Sequence, residues 1–180
     1  GLSAPFTFSG GTYPGTGGTC GATLGATLSC SIVVSYAPIT LATHNDTIDI
    51  NYFDGAAAQT SSRDVQGTGV TPANITITET DPYDYGNQAP TSSTNHTFTL
   101  TNTGAFSASS ITGGGLSAPF SYAGGTYPGT GGTCTTNLAG SATCDIVVTF
   151  NPTATGVFND TIEIDYNDGA GLQQSTRDVT

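Results

Sequence analysis

The sequence predicts an all-β protein built from tandem Ig-like antiparallel β-sandwich modules with a period of 114 residues. First, shifting the chain by 114 positions places Gly1 on Gly115 without a gap, and 37 of the 66 overlapping positions are identical. Second, short segments of alternating apolar and polar residues recur with turn sequences between them. Third, no segment has the 3.6-residue period and the length of a helix. A repeat of this length indicates one folding unit copied in tandem.

The predicted strands are recognised by their alternation. In residues 45–52 (NDTIDINY), the side chains of Ile48, Ile50 and Tyr52 share one face, which is typical of a half-buried strand. The same pattern occurs at residues 159–166 (NDTIEIDY), 74–80 (NITITET) and 96–102 (HTFTLTN). Residues 30–36 (CSIVVSY) and 144–150 (CDIVVTF) are apolar runs suited to a central strand buried on both faces. Turns are predicted at Pro14-Gly15, Asp54-Gly55, Thr103-Gly104, Pro128-Gly129 and Asp168-Gly169.

The repeat divides the chain at Gly67-Thr68-Gly69-Val70. Residues 1–68 have no counterpart of residues 71–114, so we expect an incomplete Ig-like repeat that lacks its first strands. Residues 69–180 are expected to form a complete one. An incomplete sandwich exposes sheet edges and core. Two alternatives for its completion stay open: preceding sequence supplies the strands, or another chain donates them by β-augmentation.

The charge balance excludes some partners. The chain has 13 acidic residues, two arginines and no lysine, for a net charge of −11. Nucleic acid and anionic lipid bind through Lys and Arg, so neither is expected as a partner. A soluble, non-aggregating surface explains the acidity, and cation binding or a saline habitat is the alternative. Without lysine, a Lys–Asn isopeptide cross-link within the chain is chemically impossible. No run of about 20 apolar residues occurs, so we expect no membrane insertion in this segment.

The four cysteines predict two disulfides. Cys20 and Cys30 have the same spacing as Cys134 and Cys144, which favours one disulfide in each module. A zinc site needs four ligands close together, and these pairs have neither a CxxC spacing nor a nearby histidine. Oxidised cysteines predict an extracellular or cell-surface location.

Several motifs resemble a known bacterial repeat. They are residues 95–104 (NHTFTLTNTG), 132–134 (GTC), 140–156 (GSATCDIVVTFNPTATG) and the turn Asp84-Tyr85-Gly86. Together they resemble the Ig-like module of the ASH (hydin-type) and choice-of-anchor-D group, over residues 69–180 and the matching part of 1–68. The resemblance implies a structural or adhesive spacer in a large secreted or surface-anchored protein, and no catalysis. The chain departs from the group in its longer loops at residues 10–18 and 124–132 (GGTYPGTGG), and in residues 38–42 (PITLA).

We predict that the protein is not an enzyme and has no catalytic residues. Its only histidines, His44 and His96, have no counterpart in the other copy, and no GxSxG motif occurs. Calcium is the one metal that we consider, because oxygen-rich loops can hold it and stiffen an array. The candidate ligands are Asp81, Asp84, Asp165 and Asp168. The same residues are also typical of tight hairpin turns, and no spacing matches an EF-hand. No other cofactor is expected.

Three further sets of residues are candidates for surface contacts. Tyr13 and Tyr127 lie in the glycine-rich loops, where they either contact a sugar or a neighbouring module or pack back onto the sandwich. Arg63 and Arg177 are expected to pair with Asp64 and Asp178 or with cross-strand neighbours. The sequence contains glycosylation sequons at Asn45, Asn74, Asn95 and Asn159.

These observations predict a structural repeat segment of a long extracellular surface or filament protein, a building block of a stalk or fibre. Its partners would be neighbouring repeats of the same protein or identical chains. One alternative is an adhesin module that binds a cell-surface glycan or protein through the Gly/Tyr-rich loops. Another is a self-assembling filament subunit that completes its open module with strands from a neighbouring chain.

Overall fold

The computed structural model describes residues 1–180, which divide into two compact units. Unit 1 is Gly1–Val70 and unit 2 is Thr71–Thr180. The strands of unit 1 are β1 (Phe6–Phe8), β2 (Val34–Tyr36), β3 (Thr43–Phe53) and β4 (Ala58–Thr68). Those of unit 2 are β5 (Ile75–Ile77), β6 (Thr94–Asn102), β7 (Ala108–Gly113), β8 (Phe120–Tyr122), β9 (Asn137–Leu138), β10 (Thr143–Phe150), β11 (Asp160–Asn167) and β12 (Leu172–Val179). The helical structure consists of two three-residue 3-10 turns, Ser9–Gly11 and Ala123–Gly125.

Unit 2 is an antiparallel β-sandwich of two four-stranded sheets. One sheet has the order β5-β6-β10-β8 and the other β12-β11-β7-β9. Fully buried side chains from both sheets form one core, among them Phe98 and Ile146 from the first sheet and Ile111 and Ile162 from the second. Two sheets that enclose a shared apolar core, with polar residues alternating outward, define an Ig-like sandwich. The all-β, Ig-like fold class predicted from the sequence is therefore confirmed.

The alternation in the sequence sets which side chains enter this core. On β6, the side chains of Phe98 and Leu100 are buried, while that of Thr97 points away from the core and is exposed. β10 lies between β6 and β8, and Val147 and Val148 are both buried although they point to opposite faces. The prediction of a central strand is correct for residues 144–150, but its outward face is buried only at Val147, since Asp145 and Thr149 are partly exposed. The strand predicted at residues 74–80 is shorter, because Glu79 has a φ of +93° and ends the extended conformation.

Unit 1 consists of two separate two-stranded sheets, β1-β2 and β3-β4. Each reproduces a pairing of unit 2: Phe6 pairs with Tyr36 as Phe120 pairs with Phe150, and β3 with β4 as β11 with β12. The buried apolar side chains of unit 1 are few, chiefly Phe6 and Ile48. The strand predicted at residues 30–36 forms only over Val34–Tyr36.

Both cysteine pairs form disulfides within their own unit. Cys20 bonds to Cys30 and Cys134 to Cys144, with Cα–Cα distances of 4.8 and 4.9 Å. Paired cysteines indicate an oxidising environment, either extracellular or periplasmic. Among the helical segments of the structure, none has the length and apolar character needed to cross a bilayer.

Candidate functional site

The four candidate calcium ligands each accept hydrogen bonds from a different part of unit 2. Asp81 accepts the Asp178 N–H at 3.0 Å, and Asp84 accepts the Gly86 N–H at 2.7 Å. Asp165 accepts from the Gln174 amide at 2.9 Å. Asp168 accepts the N–H groups of two following turn residues, which lower the pKa of its carboxyl group. The structure gathers no three His, Cys, Asp or Glu side chains into a group that could hold a metal ion.

Each loop tyrosine packs against an aromatic residue of the strand that precedes its loop. Tyr127 is half-buried and meets Tyr122 edge to face at a centroid distance of 5.6 Å, and burial raises its pKa to about 12. Tyr13 meets Phe8 in the same way at 5.5 Å, although it is 43% exposed. Both rings therefore contribute to the packing of the glycine-rich loops.

All four sequon asparagines are exposed. Asn45 accepts from the Gln66 amide and Asn95 from the Thr149 hydroxyl, each at 2.7 Å, while Asn74 donates to the Thr103 hydroxyl. Asn159 lies just before β11. Each side chain is therefore accessible to solvent at the surface of its unit.

The two arginines differ in their partners. Arg177 donates a hydrogen bond to the carbonyl of Ile77 and lies 3.7 Å from the carboxylate of Asp81. The expected pairing of Arg177 with Asp178 is wrong, because the Asp178 carboxylate accepts the Thr161 hydroxyl at 2.7 Å instead. Arg63, the counterpart of Arg177 in unit 1, is exposed and forms no ion pair. The partners of Arg177 both come from the segment 71–114, which unit 1 does not contain.

Residues 83–85 and 178–180 form what we call the end clamp of unit 2. The Tyr83 N–H donates to the Asp178 carbonyl at 2.8 Å, the Thr180 N–H to the Tyr83 carbonyl at 2.9 Å, and the Tyr85 N–H to the Thr180 carbonyl at 2.8 Å. The two segments run parallel, with Tyr83 beside Val179. The end clamp thus joins the beginning of unit 2 to the end of its last strand.

Aromatic side chains anchor the end clamp to the sandwich. The buried Tyr85 hydroxyl donates to the Val148 carbonyl of β10 at 2.9 Å, and burial raises the pKa of this phenol. Tyr83 stacks on His96 of β6 at a centroid distance of 3.9 Å, and its hydroxyl forms a 2.8 Å hydrogen bond with His96 Nδ1. These contacts tie the clamp to two central strands.

Asn102 is a buried residue whose importance we did not predict. Its side chain is fully inaccessible, and its Nδ2 donates to the carbonyls of Phe106, Leu138 and Ala139 at 2.8–3.2 Å. Its Oδ1 accepts the N–H groups of Asn74 and Gly104, each at 3.0 Å. The sequence carries a signal for this role. In residues 96–102, position 102 shares the inward face with Phe98 and Leu100, so a polar side chain there needs internal partners.

The surface of unit 1 that most differs from unit 2 is the one where unit 2 carries β5, β6 and β7. In unit 2, β6 pairs with β10 along all eight residues of β10, and β7 pairs with β11. In unit 1 the corresponding edges of β2 and β3 have no strand beside them. We call these two edges, with residues 29–33 and the side chains of Leu24, Ile50 and Tyr52, the open face.

The open face exposes side chains whose counterparts are buried. Tyr52 is 50% exposed and Leu24 58%, whereas their counterparts Tyr166 and Leu138 are 4% and 5% exposed. Residues 29–33 are not a strand, although their counterparts 143–147 belong to β10. In unit 2 only β6 pairs with 143–147, because β8 reaches no further than Val148. The loss of strand structure in unit 1 therefore coincides with the absence of a β6 counterpart.

Comparisons with known proteins give weak structural likenesses. No family model matches the chain, and no curated protein matches it. Among solved structures, the VesB protease of Vibrio cholerae has a TM-score of 0.44 and 17% identity, over 60% of this chain and 31% of that one. The human CEP192 ASH/PapD-like domain has a TM-score of 0.43 and 14% identity, over 61% of this chain and 83% of the domain.

A third likeness is to a protein of unknown function from Porphyromonas gingivalis, with a TM-score of 0.40 and 12% identity, over 81% of this chain and 70% of that one. This chain spans less than a third of the length of VesB. At TM-scores below 0.5 none of these likenesses bears on activity, and the Ig-like assignment rests on the sheets and core described above.

Proposed function

We propose that this chain is a structural repeat segment of a long extracellular surface or filament protein, in which Ig-like modules are load-bearing building blocks of a stalk or fibre. One observation carries the proposal: the two units share a duplicated architecture. Each has the glycine-rich loop with a 3-10 turn, a disulfide between cysteines ten residues apart, and two antiparallel strand pairs in matching register. A module copied as a whole is typical of arrays in which each repeat contributes the same mechanical unit.

The end clamp supports a load-bearing role. Tension along the chain enters unit 2 at Thr71 and leaves it at Thr180. Because residues 83–85 run parallel to the end of β12, tension that passes beyond β5 pulls the two segments past each other and loads the three backbone bonds together. An antiparallel pair pulled from its open ends would instead break its bonds one at a time. The disulfide adds to this by keeping the loop between Cys134 and Cys144 from extending.

The environment expected for such a segment agrees with its surface. Disulfides persist outside the cytoplasm, and a net charge of −11 keeps closely spaced modules soluble and apart from nucleic acid and anionic membranes. The proposed partners are neighbouring repeats. Tyr127 and Tyr13 pack against Tyr122 and Phe8, so in this proposal the glycine-rich loops are packed structural loops of each unit.

Localisation tests the proposal first. Antibodies raised against unit 2 should label the surface of intact producing cells, and a non-reducing blot should show a polypeptide well above 18.0 kDa without free thiols. Protein found only in the cytoplasm with reduced cysteines would overturn the proposal.

Single-molecule stretching of the full chain tests the load-bearing role. Asp81→Ala removes the bond to the Asp178 N–H and the ion pair with Arg177, so the unfolding force of unit 2 should fall. Asp84→Ala is the matched control, because this carboxylate serves only a local turn. Equal forces for the two variants would contradict a mechanical role for the contacts that Asp81 makes with Arg177 and Asp178.

A further inference from the structure

The open face of unit 1 resembles a binding site whose occupant can be read from unit 2. The two units carry the same strand sequences: residues 45–50 (NDTIDI) and 159–164 (NDTIEI) differ only by Asp49 and Glu163. In unit 2 the segment 71–114 covers the equivalent surface with three strands. The chain itself therefore shows which kind of polypeptide fits there.

Backbone edges provide the first match. The β10 edge that receives β6 has the register Thr143 with Thr101 through Phe150 with Thr94. Its counterpart runs from Ser29 to Tyr36, and its N–H and C=O groups on that side face no strand. β3 likewise presents the edge that β11 uses for β7. Unpaired strand edges are templates for the addition of a strand.

Apolar side chains provide the second match. In unit 2, Phe98 and Leu100 of β6 are completely buried in a core that also contains Leu138, Ile164 and Tyr166. The counterparts of the last three are Leu24, Ile50 and Tyr52, which lie on the open face. A segment with apolar residues at the positions of Phe98 and Leu100 would cover these three side chains of the open face and remove them from water.

Polar groups provide the third match, which is more selective than the apolar contacts. Arg177 donates to the Ile77 carbonyl and pairs with Asp81, and the Tyr166 hydroxyl accepts the Ile75 N–H at 3.2 Å. All of these partners belong to the segment 71–114. Arg63 and Tyr52 occupy the equivalent positions in unit 1, where Arg63 has no ion pair and Tyr52 is half exposed.

We propose that the open face of unit 1 binds a second polypeptide segment of the 71–114 type, which adds the counterparts of β5, β6 and β7 and completes a second sandwich. In this complex the segment pairs with residues 29–36 and with β3, and Arg63 and Tyr52 gain the partners that Arg177 and Tyr166 have. The inference rests on the proposed function, since an array of such modules supplies further segments of this type.

The connection between segment and unit is already present in the chain. β7 ends at Gly113, and Gly114 leads into Gly115, the counterpart of Gly1. Residues 71–114 fused directly before Gly1 of the full chain would therefore stand in the register that unit 2 uses. The experiment compares this fusion with the chain of residues 1–180 by hydrogen exchange and mass spectrometry.

The readout is the exchange of amides in residues 29–33 and in β3. We expect their exchange to slow by at least about tenfold in the fusion, because the equivalent strands of unit 2, β10 and β11, are paired with β6 and β7. The matched control carries Phe98→Asp and Leu100→Asp in the added segment only, which preserves length and connection but removes the core-facing side chains. Equal exchange in the fusion and its control would overturn the proposal.

A second variant tests the polar match. Arg63→Gln within the fusion should lose a measurable part of the added protection, while Arg63→Gln in the chain of residues 1–180 should change nothing in unit 1. The separate segment 71–114, attached to a soluble carrier and added in excess, then shows whether binding also occurs between molecules. If the fusion protects unit 1 and the separate segment does not, completion requires a covalent connection, and donation between chains is excluded.

These results are separable from the test of the proposed function. Protection in unit 1 reports only on the open face, whereas the unfolding force of unit 2 and the surface labelling do not depend on it. Failure of the fusion with an intact mechanical response would overturn this inference alone.

Discussion

The fully buried Asn102 offers the sharpest test of how unit 2 is held together. In Asn102→Ala, the N–H groups of Asn74 and Gly104 lose their common acceptor, and three carbonyls lose a donor. A buried donor left without a partner costs about 1–3 kcal/mol. Gly104 is buried and Asn74 is exposed, so only the first carries the full penalty. We therefore expect a total loss of about 3 kcal/mol, a large share of the stability of a typical domain.

The assay is hydrogen exchange of the β6 and β10 amides in the full chain across a urea series, which gives the free energy of opening of unit 2. Asn95→Ala is the matched control, because Asn95 lies on the same strand but is exposed and accepts a single hydroxyl. Its change should stay within about 0.5 kcal/mol. If the two variants differ by less than about 1 kcal/mol, the account of Asn102 as an internal polar anchor is refuted.

A second substitution at the same position adds a pH signature. Asn102→Asp keeps an acceptor for the two N–H groups but turns a second oxygen toward three carbonyls. Burial and these carbonyl dipoles raise the pKa of the new carboxyl group above its value in the unfolded chain. The variant should therefore be most stable below the unfolded pKa, at about pH 4, and should lose stability as the pH rises through the folded value. A loss that is independent of pH would contradict this picture.

Three other perturbations test the disulfide and the titrating groups of unit 2. Replacing Cys134 and Cys144 together by Ala should cost about 3 kcal/mol in urea unfolding, and an unchanged midpoint would show that the disulfide constrains little. The pKa of Asp168 is lowered in the folded state, so its contribution to stability is present above the pKa of the unfolded chain and is lost as the pH falls through the folded-state pKa. In Asp168→Asn, the acid unfolding curve measured by circular dichroism should therefore lose part of its pH dependence. Burial raises the pKa of Tyr85 and Tyr122, so the contribution of these two phenols to the stability of unit 2 is present below about pH 10 and is lost at higher pH. Their ionisation, measured by ultraviolet absorbance, should therefore coincide with unfolding rather than precede it.

The strands that the sequence predicts well are those with regular alternation and a partner on at least one side. β6, β10 and β11 fall where residues 96–102, 144–150 and 159–166 predict them. β7 was missed, because its buried residues Ala108 and Ile111 are three positions apart rather than two. Ser110 between them has a positive φ, and the pairing of β7 with β11 shifts register there. An extra residue in a strand hides the period of two that sequence reasoning depends on.

The candidate site was less predictable, because its contacts join residues far apart in the chain. Nothing local indicates that Arg177 reaches Ile77 and Asp81 rather than Asp178 beside it. The end clamp likewise depends on backbone groups of Tyr83 and Tyr85, which any residue type except proline could supply. The cysteine pairs were predictable because a repeated spacing restricts the partners.

The two units also show why a strand prediction needs a partner as well as a pattern. Residues 29–33 (SCSIV) and 143–147 (TCDIV) have nearly the same intrinsic preference, yet only the second set is a strand. The difference follows the neighbouring strand, since β6 pairs with 143–147 and no strand lies beside 29–33. β-Propensity expresses how well side chains pack on a pleated surface, so it has little effect where that surface is not formed. If the inference about the open face is correct, adding the segment 71–114 converts residues 29–33 into a strand without any change in their own sequence.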